Sequence, residues 1–271
     1  MENIIKHSVT KIRTNDTLEN LDDIAVEEPL EIIIRYGSVQ KRQLKTIAVT
    51  MRTPCDDAFL SIGFLFTEGL IFQKDDVLSY RFLEDNRIVI DFKESFAFDV
   101  EKLNRHFYTT SSCGVCGKAS IEAISTDSCF VLRKNYPVIS KHIIQNLTAQ
   151  LFDNQSLFSK TGGVHASALF NTEGVLLKLF EDVGRHNALD KLIGWALQNE
   201  YLPLSHSILL VSGRVSFELV QKAIMAGIPI IAAIGAPSSL AIDLAEQNGM
   251  TLVGFLKENT MNVYCGFERI D

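Results

Sequence analysis

Two thiols three residues apart, in Ser111-Ser112-Cys113-Gly114-Val115-Cys116-Gly117-Lys118, are the most reactive groups in the sequence. Their neighbours are small, and Lys118 favours the thiolate, the nucleophilic form of cysteine. Such a pair has three common uses. It can supply half of a structural zinc site, which needs four ligands. Here no second pair exists, so His165 and His186 would have to complete the set. It can cycle between dithiol and disulfide. That motif usually opens a helix after the first strand of a compact unit, whereas this pair follows Thr109-Thr110 in mid-chain. It can carry sulfur as a persulfide, which needs a thiolate on a flexible loop that visits two partners. Gly114 and Gly117 suit that use, with Cys113 and Cys116 as the reacting pair. On residue types alone, sulfur carriage and zinc stand level.

A second group of residues suits anions. Gly162-Gly163-Val164-His165-Ala166 leads into a strand, and Glu181-Asp182-Val183-Gly184-Arg185-His186-Asn187 marks a strand-to-helix junction. Free N–H groups at such a junction accept an anion, and Arg185 can add a bidentate contact. Ser212-Gly213-Arg214-Val215-Ser216 and Gly235-Ala236-Pro237-Ser238-Ser239 are junctions of the same kind. Neither is a Walker loop or a dinucleotide fingerprint. Each alone reads equally well as a capped turn. Three at the same ends of neighbouring strands point to one crevice for a phosphorylated ligand.

The elements that must position these groups follow from pattern. Leu30–Tyr36 and Leu44–Met51 read as strands, and a helix follows with Thr53 as its cap, Pro54 in its first turn and Gly69 at its end. Strands near Leu78–Phe82 and Arg87–Phe92 complete a small α+β unit. Beyond it, Val164–Phe170 and Val175–Phe180 flank a tight turn, and Asp182 opens a helix. Strands and helices then alternate from Ile208 to Leu256, and Met261–Cys265 reads as an edge strand. The continuous apolar runs predict an α/β fold with a mostly parallel sheet covered on both faces. Residues 1–25 read as a flexible, irregular arm, 26–108 as the small domain, and 109–271 as the α/β domain carrying the cysteine pair at its start.

Composition limits the alternatives. The 271 residues carry a formal charge of −7, which argues against general nucleic-acid binding. Five cysteines in a chain this long do not make a disulfide framework, and a reducing cytoplasm fits better. Cys55, Cys129 and Cys265 are isolated and are expected to be buried. No signal peptide is expected, because Met1-Glu2-Asn3 opens no basic head followed by an apolar core. The uncharged stretch from Ala223 to Ile242 is broken by Gly227, Pro229, Gly235 and Pro237, so no membrane span is expected.

Five segments together resemble the FdhD family of formate dehydrogenase accessory proteins. They are Ser-Ser-Cys-Gly-Val-Cys-Gly (111–117), Thr-Gly-Gly-Val-His-Ala (161–166), Glu-Asp-Val-Gly-Arg-His-Asn-Ala-Leu-Asp-Lys (181–191), Ser-Gly-Arg-Val-Ser-Phe-Glu (212–218) and Ala-Pro-Ser-Ser-Leu-Ala (236–241). The resemblance implies a sulfurtransferase with Cys113 as persulfide carrier and Cys116 as its partner. It implies a cysteine desulfurase as donor and formate dehydrogenase as client. It also implies a homodimer that binds the molybdenum cofactor, Mo-bis-molybdopterin guanine dinucleotide, as substrate, at a site a guanine nucleotide can share. The family's cofactor stretch matches Phe255-Leu256-Lys257-Glu258-Asn259-Thr260. Gly163, His165, Arg185, His186, Gly213 and Arg214 would line the same crevice. The family's C-terminal domain is similar to the cytidine deaminase fold. Zinc deaminases need H-x-E, and here Ser167 stands where the Glu would be, so the implied frame lacks deaminase chemistry. The rival function is a cofactor-binding chaperone whose cysteines serve only a zinc or redox role.

Overall fold

The computed structural model describes residues 2–96 and 130–271. Strands β1 (Ile4–Ile12) and β2 (Thr17–Ala25) pair antiparallel, and the Arg13 N–H donates to the Asp16 carbonyl across the turn at 2.8 Å. The expected irregular arm is thus a hairpin. Val, Ile and Thr favour extended backbone, and Asn15-Asp16 reverses it. Most of its side chains stay exposed, so no buried stripe marks it in the sequence.

Strands β3 (Glu28–Tyr36), β4 (Gln43–Arg52), β5 (Val77–Glu84) and β6 (Arg87–Phe92) form a sheet in the order β4-β3-β6-β5. Leu30, Ile32, Ile34, Ile88 and Ile90 join one buried cluster with Leu60, Leu65 and Phe66 of helix α1 (Asp57–Thr67). Thr53 does not cap this helix. Asp56, in the left-handed region with φ 59°, precedes its first turn, and the Thr53 hydroxyl instead accepts from the Val183 N–H at 3.1 Å. Gly69 (φ 71°) closes the helix as expected. Cys55 shares the tight left-handed entry (φ 88°), and that turn leaves it exposed rather than buried.

Helices α2 (Lys141–Asn154) and α3 (Ser156–Thr161) precede the second sheet. That sheet contains β7 (His165–Asn171), β8 (Leu176–Asp182), β9 (Ser207–Val211), β10 (Ile230–Ala233), β11 (Thr251–Lys257) and β12 (Thr260–Cys265). Helices α4 (Arg185–Gln198), α5 (Phe217–Met225) and α6 (Ser239–Gln247) connect them. Asp182 ends β8 rather than opening α4. The strand order is β12-β11-β10-β9-β7-β8. Only β9–β10 and β10–β11 pair parallel, so the sheet is mixed rather than mostly parallel. Tight turns at 172–175 and 258–259 make their strands hairpins, which must run antiparallel.

Both faces of this sheet are covered, with the period of two a strand requires. Ile208, Leu210, Ile230 and Ala232 cluster with Ile144, Leu147 and Leu151 of α2. Leu209, Val211, Ile231 and Ala233 cluster with Leu189, Leu192 and Ile193 of α4 and with α5. No helix among the described residues is long and apolar enough to cross a membrane.

The second cluster also contains buried apolar residues of β3, β6 and α1, so packing is continuous from the first sheet to the second. The join is a helix crossing. A Cβ at Gly63 would run into the Asp190 carbonyl and come within 2.8 Å of the Gly194 nitrogen, and one at Gly194 would run into the Phe59 carbonyl. Backbones in such contact leave no room for a methyl group. Gly63→Ala or Gly194→Ala is expected to cost about 3 kcal/mol in urea unfolding, the upper end for overpacking. Gly162→Ala, where a Cβ meets open space but φ is 63°, is expected to cost only about 1 kcal/mol.

Candidate functional site

The parallel strands β9, β10 and β11 end at one edge of the second sheet. Strand β7 runs the other way, so its first residue, His165, lies at that edge, paired with Asp182 at the end of β8. Three glycines step along the edge. The Gly235 N–H donates to the Gly213 carbonyl at 3.2 Å, and the Phe255 N–H donates to the Gly235 carbonyl at 3.1 Å. A Cβ at Gly235 would lie 2.7 Å from the Gly213 oxygen, and one at Gly254 would lie 2.9 Å from Pro237 Cδ. The edge from β7 to β11 crosses three strand spacings, about 14 Å, long enough for an elongated ligand.

Helix α4 enters this edge from a buried hub. Asp182 Oδ1 accepts from the Gly184 N–H at 2.8 Å and from Asn187 Nδ2 at 3.3 Å. Its Oδ2 pairs with Lys191 Nζ at 2.8 Å and accepts from the Thr53 N–H at 3.2 Å. Lys191 also donates to the Thr53 carbonyl at 3.0 Å, and Asn187 donates to the Met51 carbonyl at 2.7 Å. Glu181 accepts the Leu157 and Phe158 N–H groups at 2.8 Å each and so caps α3. Asp190 pairs with Lys222 at 2.9 Å and accepts from the Thr67 hydroxyl at 2.8 Å. Most of the motif from 181 to 191 therefore holds the frame, leaving Arg185 and His186 for the crevice.

Both histidines are shifted toward the neutral form. Burial pushes the His165 pKa down, helped by the Arg185 charge, while Asp182 opposes. Burial, Lys222 and Arg185 lower His186 to about 4, against Glu218 and Glu68. His186 Nε2 sits 3.2 Å from the Ser216 hydroxyl and 3.9 Å from Glu218. Burial opposes the charge on Lys222, but Asp190 and Glu68 outweigh it and raise the pKa. Among the described residues, no three His, Cys, Asp or Glu side chains come together as metal ligands.

The model of the FdhD/NarQ family matches residues 25–271. This chain belongs to the FdhD/NarQ family. The match spans all five segments that carry the resemblance. A sulfur carrier protein FdhD from Mycolicibacterium paratuberculosis is 46% identical, with 98% of both chains covered. One from Streptomyces coelicolor is 45% identical over 98% of this chain and 95% of the relative. One from Sulfurisphaera tokodaii is 44% identical over 97% of both. A crystal structure assigned to a formate dehydrogenase accessory protein from Desulfotalea psychrophila superposes with a TM-score of 0.76 at 26% identity, covering both chains fully.

Within this FdhD/NarQ chain, the structure brings His165, Arg185, His186 and Gly213 together at one end of the edge. A Cβ on Gly213 would lie 3.2 Å from His165 Nδ1, and the Arg185 charge reaches both imidazoles. Arg214 is exposed on the same loop. Gly163 is also exposed, near Ala25 at the base of the β1–β2 hairpin. Phe255 (φ 50°) is 45% exposed. Leu256 is 1% exposed and packs in the α2-side cluster, so it offers that edge no side chain. Lys257, Glu258, Asn259 and Thr260 form the exposed tip of the β11–β12 hairpin, with Lys257 opposite Thr260. Cys113, Cys116 and Cys129 lie outside the described residues. Ser216, Glu218 and Lys222 were not legible as partners of His186. Their only signal was position, at or on a helix that follows a glycine junction.

A buried neutral histidine makes stability depend on pH. The unfolded chain takes up this proton near 6.5 and the folded chain only near 4, so stability falls as pH drops through that window. The wild type is expected to lose about 2 kcal/mol more than His186→Gln between pH 7 and pH 5 in urea unfolding.

Proposed function

We propose that this chain is a sulfur carrier that accepts sulfur as a persulfide on Cys113 and delivers it to the molybdenum cofactor for formate dehydrogenase. The supporting observation is full-length identity of 44 to 46% with relatives named sulfur carrier proteins, in a chain that holds the Cys113-Cys116 pair. The loading step balances without an external oxidant. The Cys113 thiolate attacks the outer sulfur of a cysteine desulfurase persulfide. A new S–S bond forms on Cys113, the donor's S–S bond breaks, and the donor thiolate leaves. Cys116 is the second thiol, placed to intercept or protect the persulfide.

The cofactor is cargo. Its phosphorylated, elongated form suits an edge of about 14 Å lined by glycine backbones, with Arg185, His165 and Gly213 at one end and residues 255–260 at the other. A three-layer frame of the deaminase kind would serve here as a holder, since Ser167 replaces the acid/base Glu. A cytoplasmic homodimer completes the reading.

Intact-mass spectrometry after incubation with a cysteine desulfurase and cysteine tests it. The expected result is a reductant-sensitive gain of one sulfur in the wild type and none in Cys113→Ser, with formate dehydrogenase activity lost in cells that carry the mutant. No gain in either protein, with an active desulfurase, would replace the carrier with the cofactor chaperone.

A further inference from the structure

The first sheet ends in an open apolar edge. Among the described residues, β5 pairs only with β6, so the backbone groups along its other side have no strand beside them. Tyr80 and Phe82 lie opposite Ile90 and Ile88, so their rings stand on the face that carries α1. The cluster around α1 takes in Ile88, Ile90 and Phe92 of β6 and stops short of those rings. Tyr80 is 50% and Phe82 48% exposed, and the two meet edge to face with centroids 6.4 Å apart. Leu78 and Leu83 flank them and are exposed too. Together the four side chains show roughly 400 Å² of apolar surface, the size at which a patch marks a contact site.

Such an edge is normally guarded by charge, proline or a bulge. The stretch Leu78-Ser79-Tyr80-Arg81-Phe82-Leu83 has one charge and no proline. Its register against β6 shifts on both sides, with Leu78 and Leu83 as the extra residues. Residues 79–82 between the bulges keep a regular register, about 13 Å of strand. The other face of this stretch supplies charge. Ser79 lies opposite Asp91, and Arg81 opposite Val89. Buried Asp91 pairs with Arg81 at 2.8 Å and with Arg35, and it accepts from the Ser79 hydroxyl at 3.3 Å. One carboxylate thus answers two guanidinium groups, and Arg81 keeps much of its side chain in solvent. Glu84 lies past the bulge, where it pairs with Arg87 at 3.5 Å.

A strand laid along β5 therefore meets aromatic rings on one face and an arginine in excess of its carboxylate on the other. We propose that this edge docks an extended segment of a partner protein in which apolar residues alternate with Asp or Glu. The added strand takes up the open backbone groups, its apolar residues pack on Tyr80 and Phe82, and an acidic residue between them reaches Arg81. A second copy of this chain lacks that complement. Self-pairing within residues 79–82 sets Arg81 opposite Ser79, Tyr80, Arg81 or Phe82, none of them acidic. No residue of this edge belongs to the crevice, so the proposal stands apart from sulfur carriage.

Fluorescence anisotropy of the full chain with two labelled heptapeptides tests it. One is acetyl-Thr-Val-Glu-Phe-Glu-Val-Thr-amide, and the other has Lys in place of both Glu. The Glu peptide is expected to bind roughly ten-fold more tightly, because a like charge beside Arg81 opposes the added strand. The double variant Tyr80→Thr, Phe82→Thr is expected to weaken the Glu peptide about ten-fold, the loss of two aromatic anchors. Its melting temperature should match the wild type, since the rings are half exposed and threonine suits a strand. The peptide exchange reads the charge without disturbing the Arg81–Asp91 pair. If the double variant fails to fold, Phe82→Thr alone decides. Absence of binding by the Glu peptide, equal binding of both peptides, or unchanged binding in the threonine variants would overturn the site. A change from dimer to monomer in those variants, read by light scattering, would also overturn it, by giving the edge to a second copy.

Discussion

Two helix backbones touch at Gly63 and Gly194, and the crevice depends on that contact. At ordinary helix spacing, side chains would hold α1 and α4 apart. Without them, the β4–α1 turn reaches the end of β8, where Thr53 meets Asp182 and Lys191. Thr67 at the end of α1 likewise reaches Asp190 and Lys222. One side of α4 is thereby fixed along its length, and its first turn is presented at the sheet edge.

This arrangement buries two opposite-charge pairs, Asp182–Lys191 and Asp190–Lys222, close to one another in the fold. Removing charges from water is costly, and such pairs rarely add net stability over apolar packing. Here each carboxylate also accepts hydrogen bonds from backbone or hydroxyl donors, so the charges are fully partnered. Burial first, then the Lys222 and Arg185 charges, favour the uncharged imidazole of His186. The crevice of an acidic protein thus keeps a local cationic group, Arg185, beside two histidines shifted toward the neutral form.

Much of this was legible in the sequence where burial imposes a pattern. The runs Ile208–Val211 and Thr251–Leu256 are strands whose two faces both meet apolar partners, and Leu30–Tyr36 buries Leu30, Ile32 and Ile34 on one face while Glu31 and Arg35 form ion pairs on the other. The motif from 181 to 191 was legible as a dense group, and its Arg185 and His186 stand in the first turn of α4, at the strand end where His165 lies. Its other members have structural roles that no spacing could reveal, because their partners, Thr53, Met51 and Lys222, lie in distant segments. Strand direction was hidden too, since an apolar run looks alike in a parallel and an antiparallel neighbour. The hairpin at 4–25 lacks a buried face and therefore lacks a signal. Gly63 reads as a weak point within a helix until its partner, Gly194, is known.

The same hub sets how this chain can fold. The bonds that lock α4 join residues 129 to 138 positions apart, from Thr53 to Asp182 and Val183, from Met51 to Asn187, and from Thr53 to Lys191. Closing loops of that length adds little to the equilibrium cost, which grows only with the logarithm of length. It adds much to the time, because distant segments must meet before any of these bonds can form. Until they do, α4 has one glycine-notched face uncovered and three buried polar residues waiting for partners. Such a chain assembles its crevice late and as one event, so the surface that meets the ligand matures together with the junction of the two sheets.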